Sequence, residues 1–262
     1  MIQSMKAAAT GLLAQQLNIN TIANDLANIN TTGFKKSRVE FQDLVYQMLR
    51  EPGVSSVQGA QMPAGLQIGD GTRPIATHMI FSQGEIYPTN SPLDLAIEGN
   101  GFFQITMPDG TTAYTRDGTF KLSSTGKIVT SEGFSLYPGF SLPEDATDIH
   151  IGADGTVSVK LYGEEKTVSL GQIELARFVN PAGLKAIGGN LLLATEASGE
   201  PLLGLPSTEG FGRLHQGYLE QSNVDVVEEM VKMIVAQRAY EIGTKVIRTS
   251  DEMAAMANQL KR

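Results

Sequence analysis

Helix-period apolar repeats occupy both ends of this chain, and every helix breaker lies between them. All 11 prolines fall from Pro52 to Pro206. Residues 1–32 and 222–262 can therefore run as long helices around a strand-and-turn middle. In the amino-terminal arm, Met5, Ala8, Leu12, Gln15, Ile19, Ile22, Leu26 and Ile29 alternate spacings of three and four. All but Gln15 are apolar, which is the pattern of a coiled-coil seam, and a polar seam residue can fix register. Thr31-Thr32-Gly33 is the expected end of this helix, with Gly33 as a left-handed cap.

The carboxy-terminal arm repeats the spacing at Val235, Ala239, Ile242, Val246, Thr249, Met253, Met256 and Leu260. Val224, Val227, Val231 and Ile234 form a second, out-of-phase register. Ser222 with Asp225 resembles a capping box and places the helix start near Asn223. Two helices at opposite ends of a chain bury too little surface to stand alone. Their seams are expected to be completed by neighbouring copies, the plainer alternative being a helix pair within one globular domain. The expected subunit interface is Leu12, Ile19, Ile22, Leu26, Ile29, Val235, Ile242, Val246, Met253, Met256 and Leu260. Asn20, Asn24 and Asn28, one turn apart, form a second face. It is either solvated or hydrogen-bonded between chains.

From Leu95 onward the pattern becomes short strands with turn punctuation. Strands are expected at 102–107, 112–116, 120–122, 127–130, 134–137, 156–161, 167–170 and 173–178, with Asp109-Gly110, Asp117-Gly118 and Asp154-Gly155 as turns. Residues 51–74, rich in Gly and Pro, read as one long loop. The fold class is α+β, a terminal coiled-coil domain with a central antiparallel β domain. The expected division is 1–38 with 220–262, a connecting segment 39–80, and 81–219.

Charge and chemistry narrow the function. The net charge is −8: residues 1–38 carry +3, residues 224–262 are neutral, and the middle holds −11. Such a body discourages nucleic acid, which needs basic stripes. With no Cys, disulfides and thiol chemistry are excluded. His78, His150 and His215 lack metal spacing, and no phosphate-binding loop or nucleophile elbow occurs. Gly99-Asn100-Gly101 and Gly69-Asp70-Gly71 read as turns; Asp109, Asp145, Asp148 and Asp154 lack a calcium-loop pattern. No catalytic residue, cofactor or metal site is expected. No run approaches the ~20 apolar residues of a membrane span. The stretch after Lys6 is broken by Thr10-Gly11 and ends at Gln15-Gln16, so a cleaved signal is not expected.

The run Gln15 to Lys35, with Ala23-Asn24-Asp25-Leu26-Ala27-Asn28 and Asn30-Thr31-Thr32-Gly33-Phe34-Lys35 at its centre, resembles the amino-terminal signature of bacterial flagellar rod and hook proteins. Asp25 stands where that signature has Asn. Gln216 to Asp225 with Gln237-Arg238-Ala239-Tyr240-Glu241 resembles the family's other end, and Asp94 to Phe103 with Tyr114 to Gly118 its body. The resemblance covers nearly the whole chain. It implies a helical homopolymer with the terminal helices as inner tube and the β domain outside. It also implies contacts with proximal rod and hook proteins, with the outer-membrane and peptidoglycan bushing rings, and with the flagellar export apparatus. The length and the segment from Tyr46 to Pro74 resemble the distal-rod branch, the proximal-rod branch being the alternative. By that resemblance, Pro52, Gly53, Leu66 and Ile68 would wedge between subunits and stiffen the polymer. The competing reading from another class is a secreted monomeric β-sandwich, a binding module or an enzyme.

Overall fold

The computed structural model describes residues 2–50, 64–143, 145–162, 167–208 and 210–260. The chain is α+β: helix α1 (Ile2–Ala27) and helix α2 (Val226–Leu260) bracket antiparallel strands. It divides into two compact units, one of residues 1–26, 37–78 and 226–262, the other of residues 27–36 and 79–225. The chain thus passes from one unit to the other at 26–27, 36–37, 78–79 and 225–226.

The central unit is built on a sheet that runs 185–188, 191–193, 112–115, 102–106, 135–136, 128–129 and 121–122. Strand Leu175–Arg177 also pairs with Phe102–Thr106 and carries Leu202–Gly204 on its other side. A separate meander of Ala146–Ile151, Thr156–Leu161 and Thr167–Gln172 contributes Ile151, Val157 and Val159 to the same core. Two further ladders pair Leu95–Glu98 with Arg213–Gln216, and Ile86–Pro88 with Tyr218–Glu220.

Strand alternation sorts the apolar side chains onto two faces. Phe103, Ile105 and Ala113 enter the main core with Leu95, Ile97, Val157, Val159, Ile173 and Leu175. Phe102 and Tyr114 point the other way, into a smaller cluster with Phe178, Leu184 and Leu192. The rings of Phe102 and Tyr114 meet Phe178 edge-on at 5.8 and 4.8 Å. Burial on both faces makes this sheet a closed core.

The terminal unit holds both helices and two ribbons. Ser37–Asp43 pairs with Thr72–Met79, and Tyr46–Arg50 with Leu66–Gly69. The helices are antiparallel neighbours. Leu12 lies against Gly243, whose absent Cβ would sit 2.8 Å from the Leu12 Cδ2 atom. Gln3 and Lys6 share a groove with Ala254, Ala257 and Asn258. At ~1.5 Å per residue, the 35 residues of α2 extend roughly 50 Å.

Three local expectations are corrected. α1 stops at Ala27, so Asn28 and Ile29 stand in the turn beyond it and Gly33 is not its cap. α2 starts at Val226 rather than near Asn223, because Asn223 is held by other backbone: its amide donates to the carbonyls of Ile80 at 2.8 Å and Ser82 at 3.3 Å. The 51–74 region is not one loop, since Leu66–Gly69 and Thr72–Met79 are strands. Pro74 argued against a strand at Thr72–Met79, but an edge strand tolerates a proline.

Candidate functional site

Two features stand out, one in each unit. In the terminal unit it is an open apolar flank on α2. The side of α2 that is covered carries one small or polar residue per heptad: Glu229, Ala236 and Ser250 are buried and Gly243 is half-buried. Small side chains let two helices approach closely, which leaves the larger ones for the outside. Val235 and Ile242 are each 63% exposed, and Val246, Met253 and Met256 are exposed with them. The out-of-phase residues Val227, Val231 and Ile234 extend the flank. The α2 residues expected to meet other subunits thus all face solvent wherever their side chains are described. On α1 the expected seam divides differently. Ile22 is buried, whereas Leu12, Ile19 and Leu26 are half-buried and Leu13, outside the expected set, is 66% exposed. Asn20 and Asn24 are exposed; Asn28 is half-buried, and its Oδ1 accepts the Thr31 hydroxyl at 3.1 Å.

The Tyr46–Arg50/Leu66–Gly69 ribbon is a second apolar surface. Val45, Tyr46, Met48, Leu49, Leu66 and Ile68 are all exposed. Its base sits on α1: Gly71, at φ 113°, lies against Ala7 and Thr10, where a Cβ would clash, and Thr72 N–H donates to the Thr10 hydroxyl at 3.3 Å. Pro52, Gly53 and the side chain of Leu260 lie outside the described residues.

In the central unit the notable feature is a buried ionic knot on Glu220. One of its oxygens accepts from the Lys35 ammonium and from Gly84 N–H at 2.9 Å. The other accepts from Arg116 Nε at 2.9 Å. Lys35 also donates to the Ser82 carbonyl at 2.7 Å, and Arg116 Nη1 to the carbonyls of Gly99 and Gly101 at 2.9 and 2.7 Å. All three charged residues are buried. Burial pushes both cations below their ordinary pKa values, opposed by the carboxylate they share. Among the described residues no buried side-chain nitrogen or oxygen lacks a partner.

This knot gives the sequence motifs a physical meaning. Gly33 N–H donates to the Glu220 carbonyl at 2.8 Å. A side chain at Gly33 would come within 2.6 Å of the Arg116 carbonyl carbon, and its φ of 68° favours glycine independently. So the Gly-Phe-Lys stretch, Arg116, the Gly99-Asn100-Gly101 turn and Glu220 form one contact set. Sequence spacing could not reveal it, because Lys35 and Glu220 are 185 residues apart. Asp25, the departure from the resembled signature, is buried, and its carboxylate accepts Ser37 N–H at 3.1 and 3.2 Å. Two of the acids weighed as metal ligands have local work: Asp109 accepts from Thr111, and Asp154 from Thr156. His215 meets Glu98 at 2.9 Å on the surface.

The three motif regions also match known families. "Flagella basal body rod protein" matches residues 5–35, "Flagellar hook protein FlgE/F/G D1 domain" residues 96–159, and "Flagellar basal body rod FlgEFG protein C-terminal" residues 215–260. The chain is 52% identical to the flagellar basal-body rod protein FlgG of Borreliella burgdorferi over the full length of both. The chain belongs to the flagellar basal-body rod protein family. Family members from Caulobacter vibrioides and Bacillus subtilis are 48% and 40% identical, covering 99% and 100% of this chain and all of each relative. A rod subunit is a structural protein of the flagellar basal body.

Proposed function

We propose that this rod protein is a distal-rod subunit that polymerises into a rigid tubular drive shaft and transmits motor torque to the hook. The observation that carries this reading is the open flank of α2, from Val227 to Met256, on a helix whose other side is already covered. A monomer gains nothing by exposing that much apolar surface, whereas a polymer buries it at roughly 25 cal/mol per Å². The inner tube would be built from residues 1–38 with 220–262, joined by 39–80 to an outer layer of 81–219. Leu12, Ile19, Leu26, Ile29 and the asparagines 20, 24 and 28 would add contacts from the amino-terminal side. No catalysis is involved in this role.

The exposed ribbon would wedge between subunits through Leu66 and Ile68 and remove play from the shaft, a part that the resemblance also gives to Pro52 and Gly53. The partners would be proximal rod and hook proteins at the ends, the bushing rings around the shaft, and the export apparatus that delivers the chain.

Electron microscopy of concentrated purified protein tests the reading: straight tubes are expected, and none should form from Ile242→Asp/Met253→Asp. Tubes from that variant, or a wild type that stays monomeric when crowded, would refute it. A deletion of residues 46–69 probes the wedge, because Asp70 N–H already bonds the Val45 carbonyl and the chain can close there. Tubes of this variant should form but bend; equal rigidity would remove the ribbon's role.

A further inference from the structure

The knot on Glu220 also bears on how the central unit comes to be folded. Strand Leu95–Glu98 buries Leu95, Ala96 and Ile97 almost completely, and its ladder partner is Arg213–Gln216. Leu214 sits in the same core, and Leu219 is buried in the next strand. Glu220 then supplies the carboxylate shared by Lys35 and Arg116. Until the segment 213–220 docks, the unit has a core strand without that ladder and two cations in a dry site without their counter-ion. A buried charge left without its partner is among the most destabilising things a fold can contain. The hairpin of Phe102–Thr106 and Thr112–Thr115 is local and quick to form, yet Arg116 follows it directly and draws that penalty into the same place.

We propose that Glu220 acts as a closing latch, so that the central unit stays open until the segment Arg213–Glu220 arrives and then folds in one step. The middle of the chain is held unfolded until a carboxylate 104 residues beyond Arg116 is in place. Loop closure over such separations is slow relative to local hairpins, so the latch sets the order of events. The latch keeps a partly available chain from settling into a compact, incomplete body.

Pulse-labelled hydrogen exchange during refolding of the full chain tests this. Amides of Leu95–Glu98, Phe102–Thr106, Thr112–Thr115 and Arg213–Glu220 should gain protection in a single phase. Protection of 102–115 while 213–220 still exchanges freely would overturn the proposal. Two variants separate charge from shape. Glu220→Gln should lower protection across 95–115 by roughly a hundredfold or more. Lys35→Met/Arg116→Met/Glu220→Met, which leaves no charge to compensate, should recover it to within about tenfold of wild type. A triple variant as poorly protected as Glu220→Gln, or a Glu220→Gln protein with wild-type protection, would equally overturn it.

Discussion

Phe103 and Ile242 mark the contrast between the two units. Phe103 is fully buried in a core that the central unit completes by itself, and Ile242 is 63% exposed on a helix. Both units contain abundant apolar side chains. The central unit turns its own inward on two faces of a sheet and holds its two buried cations on one shared carboxylate and on backbone carbonyls. The terminal unit covers α2 with small residues and turns the large ones out. The lesson is that one chain can hold a body whose large apolar side chains are covered from within and another that leaves a flank of them open.

The contrast is sharpest at the core. Phe103→Ala should destabilise the central unit by about 3–5 kcal/mol, seen as a lower denaturant midpoint for its β signal. A loss no larger than that of a surface change would break the claim that this core is self-sufficient. Gly33→Ala should cost about 2 kcal/mol or more, since the new methyl meets backbone at Arg116 and the left-handed φ is strained as well. Lys35→Met should cost roughly 1–2 kcal/mol. It is milder because Glu220 keeps Arg116 and Gly84 N–H. Met253→Ser and Ile242→Ser should change the thermal stability of the isolated chain by no more than ~0.5 kcal/mol. The same pair should nonetheless slow or abolish growth of tubes, measured by light scattering.

Much of this architecture was legible in the sequence because it rests on local patterns. The apolar repeats announced both helices, and Asp-Gly pairs announced turns that the structure has at Gly110 and Gly155, both with φ near +80°. The strand expected at 156–161 is present with those bounds. What stayed hidden depends on contacts far apart in the chain. The Tyr46–Arg50 and Leu66–Gly69 ribbon has no alternation of buried and exposed residues to betray it, as nearly all of its side chains are exposed. The ends of α1 and α2 were misjudged because Gly33, Ser222 and Asn223, which look like helix punctuation, serve the central unit. Lys35, Arg116 and Glu220 were each visible in a motif, but nothing in their spacing says that they share one buried site. Likewise the heptad spacing of α2 identified an apolar stripe without revealing that Gly243, on another side, is where Leu12 of α1 packs.

The account stands or falls on whether the terminal unit is completed by other copies. Amide exchange compared between verified monomer and assembled tubes measures this directly. The account predicts that Val226–Leu260 exchanges far faster than Phe102–Thr115 in the monomer and becomes protected in the tubes, while the central strands change little. An α2 already as protected in the monomer as those strands, and unaltered by assembly, would contradict it.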